Sequence, residues 1–124
     1  MYFPYDFAFN SDTKYSEFTD RIKNDLYAIF RNLYDTYTLR GHNVIVGEMG
    51  CYDKNNTVER VKWANFYIQT TRKFQMSCFI WDVGYFGLLN RRELTWKNEE
   101  FVKALIDSSK TDLSNNPEEV YEKI

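Results

Sequence analysis

Val44-Ile45-Val46-Gly47-Glu48-Met49-Gly50 decides how this chain is read. Three β-branched residues with no polar alternation predict a strand covered on both faces, as in a parallel sheet. The run stops at Gly47-Glu48, and in α/β folds the loops beyond the carboxyl ends of the strands carry the ligand sites. A carboxylate at the end of a buried strand is costly unless it is hydrogen-bonded or paired. Glu48 is therefore either a cap or ion-pair partner for a neighbouring element, or a functional group.

Working outward, Phe18, Ile22, Leu26, Ile29, Leu33 and Tyr37 recur at helical spacing. They predict one helix over about 14–39, with Gly41 at its stop. Residues 1–12 are aromatic, carry Pro4 and read as an extended loop. Beyond the central strand, the polar run 52–56 leads to a second helix over about 57–73. Asn56 and Glu59 suggest a cap, and Val58, Val61, Ala64 or Asn65, and Ile68 form its inner face. Met76 to Trp81 predicts a second buried strand, 82–87 a loop, and 98–107 a last helix with Phe101, Val102, Leu105 and Ile106 inward. From Ser108 the chain is polar, with a weak helical pattern over 118–123. Helix, strand, helix, strand, helix is the order of an α/β fold with parallel strands. Two strands are too few for a complete sheet of that kind.

Composition narrows the function. Sixteen basic residues against 18 acidic ones give a net charge of -2, which argues against a nucleic-acid binder. No apolar run is long enough to span a bilayer. Cys51 and Cys78 lie too far apart for a CxxC motif and read as ordinary thiols. The N-terminal residues show no secretory signal pattern. Tyr, Phe and Trp together make up 19% of the chain, and the ten Tyr and three Trp need partners for their polar ends. That points to a wet aromatic surface or cleft. Trp81 ends its strand as Glu48 ends the other. A carboxylate beside an aromatic plane suits a sugar, whose C–H face stacks while the carboxylate attacks or stabilises the anomeric carbon.

From Asn43 to Ile106 the sequence resembles the C-terminal end of glycoside hydrolase family 5, the cellulase-type endoglucanases. The motif at the end of the family's strand seven looks like Val44 to Gly50. Asp53-Lys54-Asn55-Asn56, Arg60 and Trp63-Ala64 look like its helix-seven entry. Phe79-Ile80-Trp81-Asp82, Gly84 and Phe86-Gly87-Leu88-Leu89-Asn90-Arg91 look like strand eight and its loop; Trp96 and Ala104-Leu105-Ile106 also fit. Tyr2-Phe3-Pro4-Tyr5-Asp6-Phe7-Ala8 is similar to the loop after strand six.

The resemblance implies a partial (β/α)8 barrel, from the loop after strand six through helix eight, about the last third. Residues 1–107 would be barrel and 108–124 a polar tail. A whole barrel needs about 250 residues. The implied activity is retaining hydrolysis of β-1,4-glucan, outside the cell, with no metal or cofactor. Glu48 would be the nucleophile, Tyr2 would orient it, and Trp81, with Asp82, would contact substrate. The family's acid/base Glu, in an Asn-Glu-Pro motif, has no counterpart: Asn98-Glu99-Glu100 opens a helix, and Asn116-Pro117-Glu118 lies in the tail. The family's His would fall one position before Met1, and His42 reads as a solvated loop residue. Val83 stands where the family usually has Asn, and Ile80 where it has an aromatic. The expectation is a truncated reading frame whose product alone does not hydrolyse glucan.

Three other readings stand beside this one. A non-catalytic carbohydrate-binding module fits the aromatics but not the parallel-type strands. A nucleotide-binding domain lacks GxGxxG and GxxxxGK[ST] and would set Glu48 against a phosphate. A fragment that assembles with a separate N-terminal part of the barrel is compatible with every residue.

Overall fold

The computed structural model describes residues 1–112. The predicted extended start contains a short helix, α1 (Tyr5–Ala8). The single helix predicted over 14–39 divides into a 3-10 turn at Thr13–Tyr15, the helix α2 (Asp20–Thr36) and a second 3-10 turn at Thr38–Arg40. The break has a local cause. Thr19 caps α2 by accepting from the Ile22 amide, and the Phe18 amide is drawn away to Glu59 Oε2 at 2.7 Å. Gly41 ends the run in the left-handed conformation expected of a helix stop, and His42 is exposed.

Strand β1 (Ile45–Met49), helix α3 (Thr57–Lys73) and strand β2 (Ser77–Ile80) follow, and the two strands pair in parallel. A two-residue hairpin, β3 (Leu89–Asn90) with β4 (Thr95–Trp96), was not predicted. Its strands are too short to show a period, although Asn90 marks the turn by accepting from the Arg92 and Glu93 amides. Helix α4 (Glu99–Lys110) is capped by Asn98, whose side chain accepts from the Phe101 amide. It runs past the expected boundary at 107. Buried Ser108 bonds Asn65 at 2.6 Å, and Arg72 closes the end by donating to the Ser108 and Thr111 carbonyls. The pattern near 118–123 lies outside the described residues.

The inner face predicted for α3 is corrected. Val58 is 64% exposed, while Arg60, Trp63, Ala64, Phe66, Tyr67, Ile68, Thr70 and Thr71 are buried. Packed against α2, α4 and β2, this helix has no single apolar stripe to read. The Asn56 side chain does not cap it, but donates to the Ser16 carbonyl. Trp63, Tyr67, Phe30 and Phe101 form one ring cluster, with Phe30 and Tyr67 edge-to-face at 4.9 Å. Ile106, expected inward, is exposed.

The expectation that both strands are covered on two faces is also corrected. Val46, Cys78 and Ile80 pack toward the core, but Ile45 is 64% and Phe79 57% exposed. The helices cover one face of the pair, and the described residues place nothing on the other.

Candidate active site

Glu48 owes its position to an irregularity in the ladder. Val46 pairs with Cys78 and Met49 with Ile80, so β1 spends one more residue than β2 across the same interval. An extra residue bends a strand and re-aims its side chains. Gly47 and Glu48 are consecutively exposed, which strict alternation forbids, while Met49 turns fully inward.

The Tyr2 hydroxyl donates to Glu48 Oε1 at 2.5 Å, across 46 residues of sequence. Burial, and secondarily this hydrogen bond, push the Tyr2 phenol well above its ordinary pKa. It therefore stays a protonated donor at any pH near neutrality. Gly50 makes the approach possible: a Cβ there would lie 2.9 Å from Tyr2 Cε1 and 3.2 Å from Phe86 Cδ1. The second glycine of the motif is thus the seat of the Tyr2 ring. Tyr2 also meets Phe9 and Phe86 edge-on at 5.3 and 5.0 Å.

Helix α3 anchors the backbone around Tyr2. Trp63 Nε1 donates to the Phe3 carbonyl at 3.1 Å and the Tyr67 hydroxyl to the Met1 carbonyl at 3.2 Å. Positions 63 and 67 share one face, one turn apart. Buried Lys54 donates to the carbonyls of Asp6, Phe7 and Tyr15 at 2.8–3.0 Å, and the Tyr52 amide bonds the Ala8 carbonyl. Arg60, also buried, donates to the Cys51 carbonyl, pairs with Asp53 at 3.5 Å and lies 4.0 Å over the Phe101 ring. Burial pushes the Cys51 thiol up to about 12, so it is a neutral core group; both cysteines are free.

Trp81 continues the ladder by donating its backbone N–H to the Met49 carbonyl at 2.7 Å, and its side chain is 41% exposed. Glu48, Tyr2 and Trp81 therefore stand at one end of the strand pair. Asp82 is committed to its own loop. Its Oδ1 accepts from the Leu88 and Leu89 amides at 2.7 and 3.4 Å, and Arg91 lies 3.5 Å from Oδ2. The Leu88 amide is the main reason its carboxyl titrates below the usual range. The geometry gives Asp82 a loop-shaping task. Among the described residues no group of three or more His, Cys, Asp or Glu could hold a metal ion, and no helix is long and apolar enough to cross a membrane.

The model of the cellulase family (glycosyl hydrolase family 5) matches residues 1–87. The chain belongs to glycosyl hydrolase family 5. Endoglucanase B of Clostridium cellulovorans is 34% identical over 117 residues, covering 86% of this chain and 27% of that protein. This family 5 chain thus spans little more than a quarter of the length of that relative. Among solved structures, a broad-specificity GH5-4 endoglucanase from Clostridium cellulovorans superposes with a TM-score of 0.83 at 32% identity, over 88% of this chain and 35% of that one. A family 5 lichenase from Caldicellulosiruptor sp. F32, a mutant in complex with cellotetraose, gives 0.80 at 32% identity, over 88% and 33%.

Sequence reasoning named Glu48, Tyr2 and Trp81 but not the residues that place them. Gly50 was visible as a glycine two positions past Glu48, and Trp63 with Tyr67 as an i, i+4 aromatic pair. Neither pattern says what it touches until Tyr2 folds back across the sequence.

Proposed function

We propose that this chain carries the nucleophile side of a retaining endo-β-1,4-glucanase active site, placed within a (β/α)8 barrel from the loop after strand six through helix eight. The observation that carries the reading is the Tyr2–Glu48 hydrogen bond at the end of a bulged parallel strand, with the exposed Trp81 beside it. The family 5 membership supports the same chemistry. In this reading Trp81 stacks under the sugar at the cleavage point. Glu48 attacks the anomeric carbon, and the glycosidic C–O bond breaks as a glycosyl ester forms on the carboxylate. The leaving oxygen takes a proton from a second carboxylic acid held about 5–5.5 Å away. That group, then acting as base, removes a proton from the water that releases the sugar. Tyr2 holds the Glu48 carboxylate aimed through its hydrogen bond.

The second carboxylate belongs to strand four of the barrel, in an Asn-Glu-Pro setting that this sequence does not contain. The open face bearing Ile45 and Phe79 is where the remaining strands would pack. The 124 residues are accordingly inactive alone and active when the rest of the barrel is present. Its substrate is a β-glucan polymer, which places the work outside the cell. The test is reducing-sugar release from carboxymethyl-cellulose by the purified chain. The expected result is no release. Robust release that disappears in Glu48→Ala would overturn the claim of inactivity while upholding Glu48.

A carbohydrate-binding role without turnover is favoured by one observation, the exposed Trp81. Saturable binding of cello-oligosaccharide that survives Glu48→Ala, with no turnover after the barrel is completed, would favour it.

A further inference from the structure

We propose that the cavity between the loops after β1 and β2 is a second saccharide pocket, taking one neutral pyranose unit of a β-glucan on the ring of Tyr85. The proposal rests on the glucanase reading and extends it to a place that reading does not use. The cavity measures about 360 Å³ and is lined by Asp53, Gly84, Tyr85, Gly87 and Lys97. Its two loops are tied together, since the Asp53 amide donates to the Tyr85 carbonyl at 3.0 Å.

Each wall has a chemical use. Tyr85 is 67% exposed, yet its ring is braced by Tyr52, stacked at 4.9 Å and 20°. A braced, solvent-facing ring offers a flat surface for sugar C–H groups at little ordering cost. Asp53 has its carboxylate turned by buried Arg60 and by the Asn55 amide, and can accept from sugar hydroxyls. The Lys97 ammonium reaches the Gly84 carbonyl at 3.3 Å and can donate to them. Gly87 makes the room, since a Cβ there would lie 2.7 Å from Lys97 Nζ, and Gly84 supplies the left-handed turn, with φ of +52°. A carboxylate and an ammonium facing one cavity disfavour both an anionic and a purely apolar ligand.

The pocket is also joined to the cleavage site. Tyr2, which holds Glu48, touches Phe86; Phe86 touches Tyr52; Tyr52 stacks on Tyr85. Three ring contacts of 4.9–5.6 Å form a continuous aromatic rim from the nucleophile to the cavity.

The test is an NMR titration of the full, isotope-labelled chain with cellotetraose, following the Tyr85 ring, Lys97 and the Trp81 indole. The expected result is saturable shifts at all three. Tyr85→Ala, an exposed and therefore fold-tolerant change, should weaken apparent affinity by about five-fold while the Trp81 shift persists. Lys97→Met should weaken it in the same direction. Shifts at Trp81 with Tyr85 and Lys97 silent, or an affinity indifferent to Tyr85→Ala, would overturn the pocket and leave the glucanase reading intact. No shift at any of the three would likewise overturn the pocket, while the glucanase reading stands or falls on Glu48.

Discussion

Gly50 lies directly beneath the ring of Tyr2, close enough that an added methyl would sit 2.9 Å from Tyr2 Cε1. The contact links the strand that presents the carboxylate to the segment that supplies its hydrogen-bond donor. Gly50→Ala should displace Tyr2 and lengthen the bond to Glu48. The overpacking should cost about 1–3 kcal/mol in a denaturant titration. Loss of the nuclear Overhauser contacts between the Tyr2 ring and residue 50, with the α3 signals unmoved, is the expected signature. A Tyr2 ring left in place would show that the segment yields without strain.

The hold of α3 on the Tyr2 backbone gives a second prediction. Tyr67→Phe keeps the ring that packs on Phe30 but removes the donor to the Met1 carbonyl. It should cost about 0.5–1.5 kcal/mol and broaden the Tyr2 signals. Trp63→Ala should cost far more, about 3–5 kcal/mol, because it empties the centre of the core. Equal costs for the two changes would contradict this division between anchoring and packing.

Lys54 supplies the third. Lys54→Met preserves length but strands three carbonyls, at Asp6, Phe7 and Tyr15, two of them in α1. Unmade buried hydrogen bonds are expensive, so at least about 2 kcal/mol should be lost, with amide exchange accelerating first in residues 5–9. Uniform acceleration across the chain would argue that Lys54 supports the fold as a whole and not this segment.

Asp82 and Tyr2 give two pH predictions of opposite range. The Asp82 carboxyl titrates below its unfolded value in the native state, chiefly through the Leu88 amide. Its contribution is therefore present above the unfolded pKa of about 4 and is lost as pH falls through the folded value. Asp82→Asn should flatten the acid limb of the stability curve and loosen the 82–91 loop. Tyr2 titrates above the ordinary range. The phenolate absorbance of wild type and Tyr2→Phe should therefore coincide up to about pH 11. A difference below that point would show Tyr2 ionising like an exposed phenol.

Much of this fold was legible because its signals are local. The β-branched run ending in Gly-Glu gave β1, and Met76 to Trp81 gave β2. Helices α3 and α4 began within a residue or so of their predicted starts. The misses arise where distant residues intervene. Glu59 captures the Phe18 amide and shortens α2, and Asn56 bonds Ser16 instead of capping its helix. The open face of the strands was misread because an apolar strand looks the same whether its second cover is present or not. The bulge that turns Glu48 outward depends on pairing with β2, and no window of β1 alone contains it.

Glu48 as nucleophile is the claim that everything else serves, and covalent trapping tests it most directly. A 2-deoxy-2-fluoro cellobioside with an activated leaving group needs no proton donor, so the first step does not depend on a second carboxylic acid. Incubation with the chain, followed by intact mass and peptide mapping, should show one added glycosyl group on the peptide containing Glu48. Glu48→Gln should remain unlabelled. No adduct on the wild-type chain, or an adduct on any other residue, would contradict the account.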